Sequence, residues 1–201
     1  MRLNKRDVLD YLGYQGKLAD GNTLAMIDKI AEEIIALGAP KSLARIWDCR
    51  TSDKMVEIDG LTINSSSLTK HLTGCSRLSL IALTLDIQVD RLIRRYSVAD
   101  MSKAIVADAI ASVMVDAYCD ELEMEIAADT MVASLKMLPR FSPGYGDFDI
   151  AYQKDILGLL DAGKQIGLTL TDGYMLVPSK SVTAVIGFYS ESIMNHYIRR
   201  D

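Results

Sequence analysis

Nine residues decide the fold: Arg77-Leu78-Ser79-Leu80-Ile81-Ala82-Leu83-Thr84-Leu85. The run is almost entirely apolar, which is typical of a strand that is buried on both faces at the centre of a sheet. A buried helix has the same apolar signature over this length, so periodicity alone leaves both structures open.

The sequence before this run starts with helical periodicity. Apolar residues predict a short helix over residues 4–14 and a stronger one that begins at Asp20 or Asn22, both of which are good capping residues. Gly38-Ala39-Pro40 ends the second helix, because glycine suits a helix end and proline cannot continue the helix.

The pattern then changes to alternation. Residues 42–49 and 55–63 are predicted strands, and the turn pair Asp59-Gly60 predicts a hairpin within the second segment. A short helix capped by the serines at 65–67 should follow and end at Gly74.

Two more helices are predicted after the apolar run. The first follows Asp86 and carries Arg91, Arg94 and Arg95, which form either a docking patch for an acidic partner or a solvated helix face. The second spans about residues 99–127, and its many acids are interpreted as a solvated face rather than a catalytic pair. A further helical stretch is expected over residues 127–137.

An irregular loop comes next: Arg140-Phe141-Ser142-Pro143-Gly144-Tyr145-Gly146-Asp147. Its two glycines allow backbone angles closed to other residues. Arginine offers a planar donor fork for a carboxylate, and the aromatic rings offer flat faces for a base or a cation. The composition is therefore that of a ligand loop. The alternative is a tight connection in which Arg140 makes a surface ion pair.

The remaining sequence predicts a helix over residues 150–160, then strands at 168–171, 174–177 and 182–188, and a short helix from Ser190 to Asp201. No repeat or linker interrupts the chain. We therefore predict a single α+β domain over residues 1–201, with a mostly antiparallel or mixed twisted sheet packed against several helices. Residues 1–73 form its amino-terminal part and residues 74–201 carry the ligand loop.

Composition narrows the class of protein. The net charge of −5 argues against nucleic-acid binding. No apolar run approaches the roughly 20 residues that cross a bilayer, and the start does not look like a signal peptide, so we expect a cytoplasmic protein. Three scattered cysteines and two histidines, His71 and His196, predict neither disulfides nor a protein-bound metal.

Several catalytic motifs are missing from the sequence. It contains no G-x-G-x-x-G turn, P-loop or G-x-S-x-G elbow. Ligand binding is therefore easier to argue than independent catalysis.

The sequence resembles the activation domain of cobalamin-dependent methionine synthase in three ordered blocks. They run from Gly74 to Arg95, from Arg140 to Asp147 with the pattern R-x-x-x-G-Y, and from Gly167 to Val182. The resemblance implies a domain that binds S-adenosylmethionine and presents its methyl group to cobalamin. There the oxidised cob(II)alamin is reduced by one electron, commonly from flavodoxin, and methylated.

The resemblance also implies roles for the loop residues. Arg140 would pair with the carboxylate of the ligand, and Gly144 would let the backbone approach it closely. Tyr145 would line the site near the cobalamin-facing side, and the backbone of Phe141 and Ser142 would run along the ligand.

The chain departs from the full-length enzymes of this family. The homocysteine, folate and cobalamin modules are missing from the sequence, so we expect an accessory module rather than a complete enzyme. The stretch that corresponds to a ligand-binding aromatic pair reads Val185-Ile186-Gly187-Phe188 and holds one aromatic residue. Asp10 is the candidate for the family's amino-terminal acidic contact.

These features predict an S-adenosylmethionine-binding module that reactivates cobalamin on a separate methionine synthase or other corrinoid protein, with flavodoxin as a candidate partner. The alternative is a protein-interaction module that keeps the fold without the ligand. An independent methyltransferase is the least supported hypothesis, because no glycine-rich strand-to-helix turn is present.

Overall fold

The computed structural model describes residues 3–129 and 131–190. The helices are α1 (Lys5–Tyr11), α2 (Gly21–Ala36), α3 (Ser66–His71), α4 (Ile87–Ala99), α5 (Met101–Ala127), α6 (Gln153–Leu159) and α7 (Ala162–Gln165), with a 3-10 helix at Ile150–Tyr152. Within the described ranges, no helix has both the length and the apolar character that a bilayer span requires.

The strands form antiparallel sheets. They are β1 (Lys41–Asp48), β2 (Arg50–Ser52), β3 (Met55–Ile58), β4 (Leu61–Asn64), β5 (Cys75–Thr84), β6 (Lys136–Met137), β7 (Thr169–Leu170), β8 (Leu176–Val177) and β9 (Ser181–Tyr189). The largest sheet has the order β1-β5-β9-β6, and smaller sheets pair β2-β3-β4 and β7-β8. The predicted α+β class with a mostly antiparallel sheet is confirmed.

Strand β5 lies at the centre of the main sheet. It pairs with β1 along one edge and with β9 along the other. Leu80 and Ile81 point to opposite faces, and both are fully buried. The apolar run is therefore a central strand and not a buried helix, because both of its faces are covered.

Different layers cover the two faces of the sheet. On one face, Ile81 and Ile186 pack with Leu122 near the end of α5, and Leu83 joins the core formed by α1, α2, α4 and α5. On the other face, Leu80 belongs to a core with β3, β4, α3 and α6. Because β1 from the first 73 residues pairs with β5, the two parts of the chain share one sheet.

The helix starts follow the predicted capping residues. Asp20, rather than Asn22, caps α2 by accepting a hydrogen bond from the backbone N–H of Thr23 at 2.8 Å. The Ser65 hydroxyl caps α3 by accepting from the backbone N–H of Leu68 at 3.0 Å. The hairpin at Asp59-Gly60 is also confirmed, with φ angles of 43° and 80° that fit a tight primed turn.

One predicted helix is wrong. Residues 128–129 and 131–137 do not form a helix, because α5 ends at Ala127 and turns precede the short strand β6. The Asp129 carboxylate accepts a hydrogen bond from the backbone N–H of Met131 at 2.7 Å, a local contact that favours a turn over a helix. Strand β6 then pairs with the edge of β9, which is a non-local contact.

The segments after the loop are close to the prediction. The helix expected over residues 150–160 starts as a 3-10 helix and continues as α6, and the three predicted strands are β7, β8 and β9. The expected final helix lies outside the described residues from residue 191 onward, as does His196.

Candidate functional site

The loop from Arg140 to Asp147 is attached to the main sheet at its first aromatic residue. The backbone N–H of Phe141 donates to the Val185 carbonyl at 2.8 Å, and the Val185 N–H donates to the Phe141 carbonyl at 2.9 Å. The loop then closes on itself, since the Gly144 N–H donates to the Phe148 carbonyl at 2.7 Å. Gly144 has a φ of 98°, which a residue with a side chain rarely adopts.

Asp147 ties the other end of the loop to the start of α3. Its carboxylate accepts hydrogen bonds from the Ser65 hydroxyl at 2.7 Å and from the backbone N–H groups of Ser66 and Ser67 at 2.8 Å each. These hydrogen bonds, the Ser65 one first, hold the pKa of Asp147 well below its usual range. Gly146 fits because a Cβ there would collide with the Ser67 side chain.

Stacked aromatic rings pack against the loop on its buried side. The Phe141 ring stacks on His71 at 4.9 Å between centroids, and it also stacks on the buried Phe148 at 6.3 Å. Tyr145 lies 5.9 Å from Phe141 but is 62% exposed. The loop therefore has a packed base and presents one aromatic ring to solvent.

Arg140 is surrounded by carboxylates of α5. Its Nη1 lies 2.8 Å from a carboxylate oxygen of Asp120 and 2.8 Å from one of Glu123, and its Nη2 lies 3.5 Å from Asp116. Burial alone would lower the pKa of the guanidinium, but the hydrogen bonds with Glu123 and Asp120 outweigh burial and raise it. Arg140 is a permanent cation in a site whose net charge is negative.

The interpretation of the α5 acids as a solvated face holds for Asp116 and Asp120, whose side chains are 53% and 66% exposed, but not for Glu123, whose side chain is 16% exposed. Asp116, Asp120 and Glu123 are spaced at i, i+4 and i+7, so they share one face of the helix. That spacing is a sequence signal, but nothing in it shows that this face meets a loop some 20 residues further along. Packing of the loop against α5 brings them together.

The amino-terminal helix also reaches this site. The Tyr11 hydroxyl donates a hydrogen bond to a carboxylate oxygen of Asp116 at 3.2 Å, and Tyr11 as a whole residue is 58% exposed. The pKa of the Tyr11 phenol is raised by partial burial and then by Asp116, with a smaller effect from Tyr145. Sequence analysis gave Tyr11 no role at the site, and the assignment of its neighbour Asp10 as the amino-terminal acidic contact stays a prediction.

A cleft of about 580 Å³ opens between the loop and α5, and we name it the Arg140 cleft. Its lining residues are Ser67, Asp116, Arg140, Phe141, Ser142, Tyr145, Gly146 and Val182. Four of the five residues expected to bind the ligand are in this set. Gly144 lies in the same loop but does not line the cleft. Asp10, on α1, does not line the cleft either.

The stretch Val185-Ile186-Gly187-Phe188 does not supply a surface aromatic. Phe188 is 1% exposed and packs in the core beside Ile186. A Cβ on Gly187 would lie 2.7 Å from the sulfur of Cys75 and 3.2 Å from Leu138, so the neighbouring side chains already fill that space. The described stretch is therefore a core strand and contributes no aromatic contact to the Arg140 cleft.

The chemistry available at the cleft is ionic and aromatic. Among residues 3–129 and 131–190, no group of three His, Cys, Asp or Glu side chains is arranged to hold a metal ion. The lining of the cleft holds one cation, Arg140, one carboxylate, Asp116, and the exposed ring of Tyr145. This combination suits a ligand that carries both signs of charge and a flat group.

Comparisons with known proteins identify the fold and the family. A crystal structure of the MetH reactivation domain bound to AdoHcy has a TM-score of 0.66, covers 93% of this chain and 75% of that chain, and is 14% identical, which shows a shared fold. No curated protein matches the sequence. The sequence model of the family "Vitamin B12 dependent methionine synthase, activation domain" matches residues 68–197, more than half of the chain. The chain therefore belongs to the family of activation domains of vitamin B12-dependent methionine synthases.

Proposed function

We propose that this chain binds S-adenosylmethionine in the Arg140 cleft and presents its methyl group to the cobalamin of a separate cytoplasmic protein. That partner is a cobalamin-dependent methionine synthase or another corrinoid protein. One electron from a donor such as a flavodoxin, together with the methyl group, would convert cob(II)alamin to methylcobalamin and leave S-adenosylhomocysteine. The observation that carries the proposal is a loop with the R-x-x-x-G-Y pattern that frames a charged cleft in an activation-domain fold.

The charges at the cleft support this choice of ligand. Three carboxylates against one guanidinium leave the cluster with an excess of negative charge. The sulfonium and ammonium groups of S-adenosylmethionine outnumber its carboxylate, so the ligand has the complementary excess. In this proposal Arg140 pairs with the ligand carboxylate, and Asp116, the α5 acid that lines the cleft, accepts a hydrogen bond from the ligand's ammonium group.

The exposed ring of Tyr145 supports the same assignment. The ring lines the cleft and is exposed, so it can contact a cation or the adenine ring of the ligand. The space beside Gly144 is open, because a Cβ built there would meet no atom within 4 Å. The related MetH reactivation domain has AdoHcy bound, which is the demethylated form of the proposed ligand.

The test is calorimetric titration with S-adenosylmethionine of the wild type and of Arg140→Ala. Losing the charge-assisted contacts should cost about 2 kcal/mol, or roughly thirtyfold in affinity. Arg77→Ala is the matched control, since Arg77 is also a partly buried arginine in an ion pair, with Asp48, and lies outside the cleft. Equal losses in both variants would contradict a specific role for Arg140.

A second candidate function has one observation in its favour. The donors of Arg140 that would bind a carboxylate already pair with acids of the protein, so the site is satisfied without a ligand. This arrangement fits a protein-interaction module that keeps the fold and has lost the ligand. Wild-type protein that fails to bind S-adenosylmethionine even with a corrinoid protein present would favour this second function.

A further inference from the structure

The loop of the candidate site begins at a β-bulge. The backbone N–H of Leu138 donates to the Gly187 carbonyl at 2.9 Å, which continues the register in which β6 pairs with β9. The next bridge joins Phe141 to Val185. Between these two contacts the loop side has two residues, 139–140, whereas β9 has only one. One residue is therefore extra, which is the definition of a bulge.

The bulge decides which way Arg140 points. Side chains of a strand alternate between the two faces of a sheet, and an extra residue reverses that alternation. Leu138 and Phe141 are three residues apart, yet both pack against the core that contains α3 and α6. Arg140 lies on the opposite face, where its guanidinium meets the carboxylates of α5. If the loop continued the register of β6, position 140 would share the face of Leu138.

His71 contacts the chain on both sides of Arg140. Its Nε2 lies 2.9 Å from the Pro139 carbonyl oxygen, to which no backbone N–H of the described residues donates. Because a carbonyl can only accept, this nitrogen carries the proton. The imidazole ring also stacks on Phe141, with 4.9 Å between centroids and 27° between planes. His71 therefore satisfies the carbonyl that the bulge leaves without a partner in the sheet.

Helix α3 holds the loop at both of its own ends. The backbone N–H groups of Ser66 and Ser67, at its start, donate to Asp147. His71 is its last residue and donates to Pro139. His71 does not line the Arg140 cleft, so any effect it has on a ligand there must pass through the loop.

We propose that His71 is a positioning residue for Arg140. Its Nε2–H holds the Pro139 carbonyl and so keeps the bulge in the conformation that directs the guanidinium toward the Arg140 cleft. Stacking on Phe141 orients the imidazole for this hydrogen bond. The inference rests on the proposed function, because its consequence for a ligand requires S-adenosylmethionine to bind in the cleft.

The first experiment compares two variants of His71 by calorimetric titration with S-adenosylmethionine. His71→Phe keeps a ring that can stack on Phe141 but has no donor for the Pro139 carbonyl. His71→Gln lacks the ring but keeps an N–H donor at a similar distance from the backbone. We expect His71→Phe to lose about three- to tenfold in affinity and His71→Gln to stay within about twofold of the wild type. A loss in His71→Gln that equals or exceeds the loss in His71→Phe would overturn the proposal.

The same substitution in Arg140→Ala tests whether the effect passes through Arg140. In that background His71→Phe should change the affinity by less than about twofold, because coupled residues are not additive. A full loss there would indicate general loosening of the loop and would also overturn the proposal. Thr73→Val is the control, since it removes a 3.2 Å hydrogen bond to the Thr69 carbonyl at the same end of α3. It should keep wild-type affinity.

Amide hydrogen exchange of the ligand-free protein tests the positioning without the proposed function. The Phe141 N–H, which donates to the Val185 carbonyl beside the bulge, should exchange about fivefold faster or more in His71→Phe than in the wild type and Thr73→Val. Unchanged exchange in His71→Phe contradicts the role of the hydrogen bond. A wild type that does not bind S-adenosylmethionine would refute the proposed function, and the exchange rates would still decide whether His71 holds the bulge.

Discussion

At the residue scale, Asp147 fixes the loop of the candidate site. Its carboxylate accepts three hydrogen bonds from residues 65–67, which lie some 80 positions earlier in the chain. The adjoining Gly146 allows this close approach. A local change at Asp147 should therefore affect both the stability of the protein and the shape of the Arg140 cleft.

We expect Asp147→Asn to lower the urea midpoint of unfolding at pH 7, because the amide replaces one acceptor with a donor that faces backbone N–H groups. The folded-state pKa of Asp147 is depressed, so its contribution is fully present above the unfolded pKa of about 3.9 and is lost as pH falls toward the folded pKa. The difference in urea midpoint between the wild type and Asp147→Asn should therefore shrink as the pH falls from about 5 to about 3.

The control for this prediction is Asp172→Asn, an exposed aspartate outside the cleft. It should leave the midpoint unchanged at both ends of the range. A wild-type advantage over Asp147→Asn that stays constant as the pH falls would show that the ionised carboxylate is not what anchors the loop.

At the element scale, α5 serves both the core and the site. Its apolar residues pack on α1, α2, α4 and the main sheet, while one acidic face meets Arg140. Helix α1 adds Tyr11 to that face, from a part of the chain that lies before the matched family region. The position of each helix thus sets the geometry of the charges.

Removing the Tyr11 hydroxyl tests the link between α1 and α5. In Tyr11→Phe, Asp116 loses the hydrogen bond that holds it, and the affinity for S-adenosylmethionine should fall by about two- to fivefold, which corresponds to about 0.5–1 kcal/mol. Tyr14→Phe is the comparison, because Tyr14 lies outside the cleft. If calorimetry finds the same affinity for S-adenosylmethionine in Tyr11→Phe and in the wild type, the hydrogen bond from Tyr11 to Asp116 does not contribute to ligand binding.

At the scale of the whole molecule, stability depends on helices packed on both faces of one sheet. Ile110 in α5 is fully buried in the helical core. Ile110→Ala should lower the free energy of unfolding by about 2–5 kcal/mol, because it removes buried methyl groups and leaves a cavity. Urea denaturation at neutral pH measures this loss.

Ile105→Ala makes the same chemical change on the same helix at a residue that is 55% exposed. It should change the free energy of unfolding by no more than about 0.5 kcal/mol. Similar losses in the two variants would mean that α5 does not bury its Ile110 side as the structure shows.

Local sequence patterns determined most of the elements. The capping residues Asp20 and Ser65 and the turn pair Asp59-Gly60 depend on contacts within a few residues. The apolar run at residues 77–85 indicated burial on all sides, and pairing with β1 and β9 decided that it is a strand. Periodicity, capping and turn chemistry report those conditions directly. The loop motif at residues 140–147 was identifiable for the same reason, since its glycines and proline act locally.

Only the tertiary structure decided how these elements form the candidate site. The hydrogen bond from Tyr11 to Asp116 joins residues 105 positions apart, and the ion pair of Arg140 with Asp116 joins residues 24 apart. Strand β6 replaced a predicted helix because it pairs with β9, some 50 residues further on. Such contacts depend on how whole helices and strands pack, and no pattern within a short window of sequence records that packing.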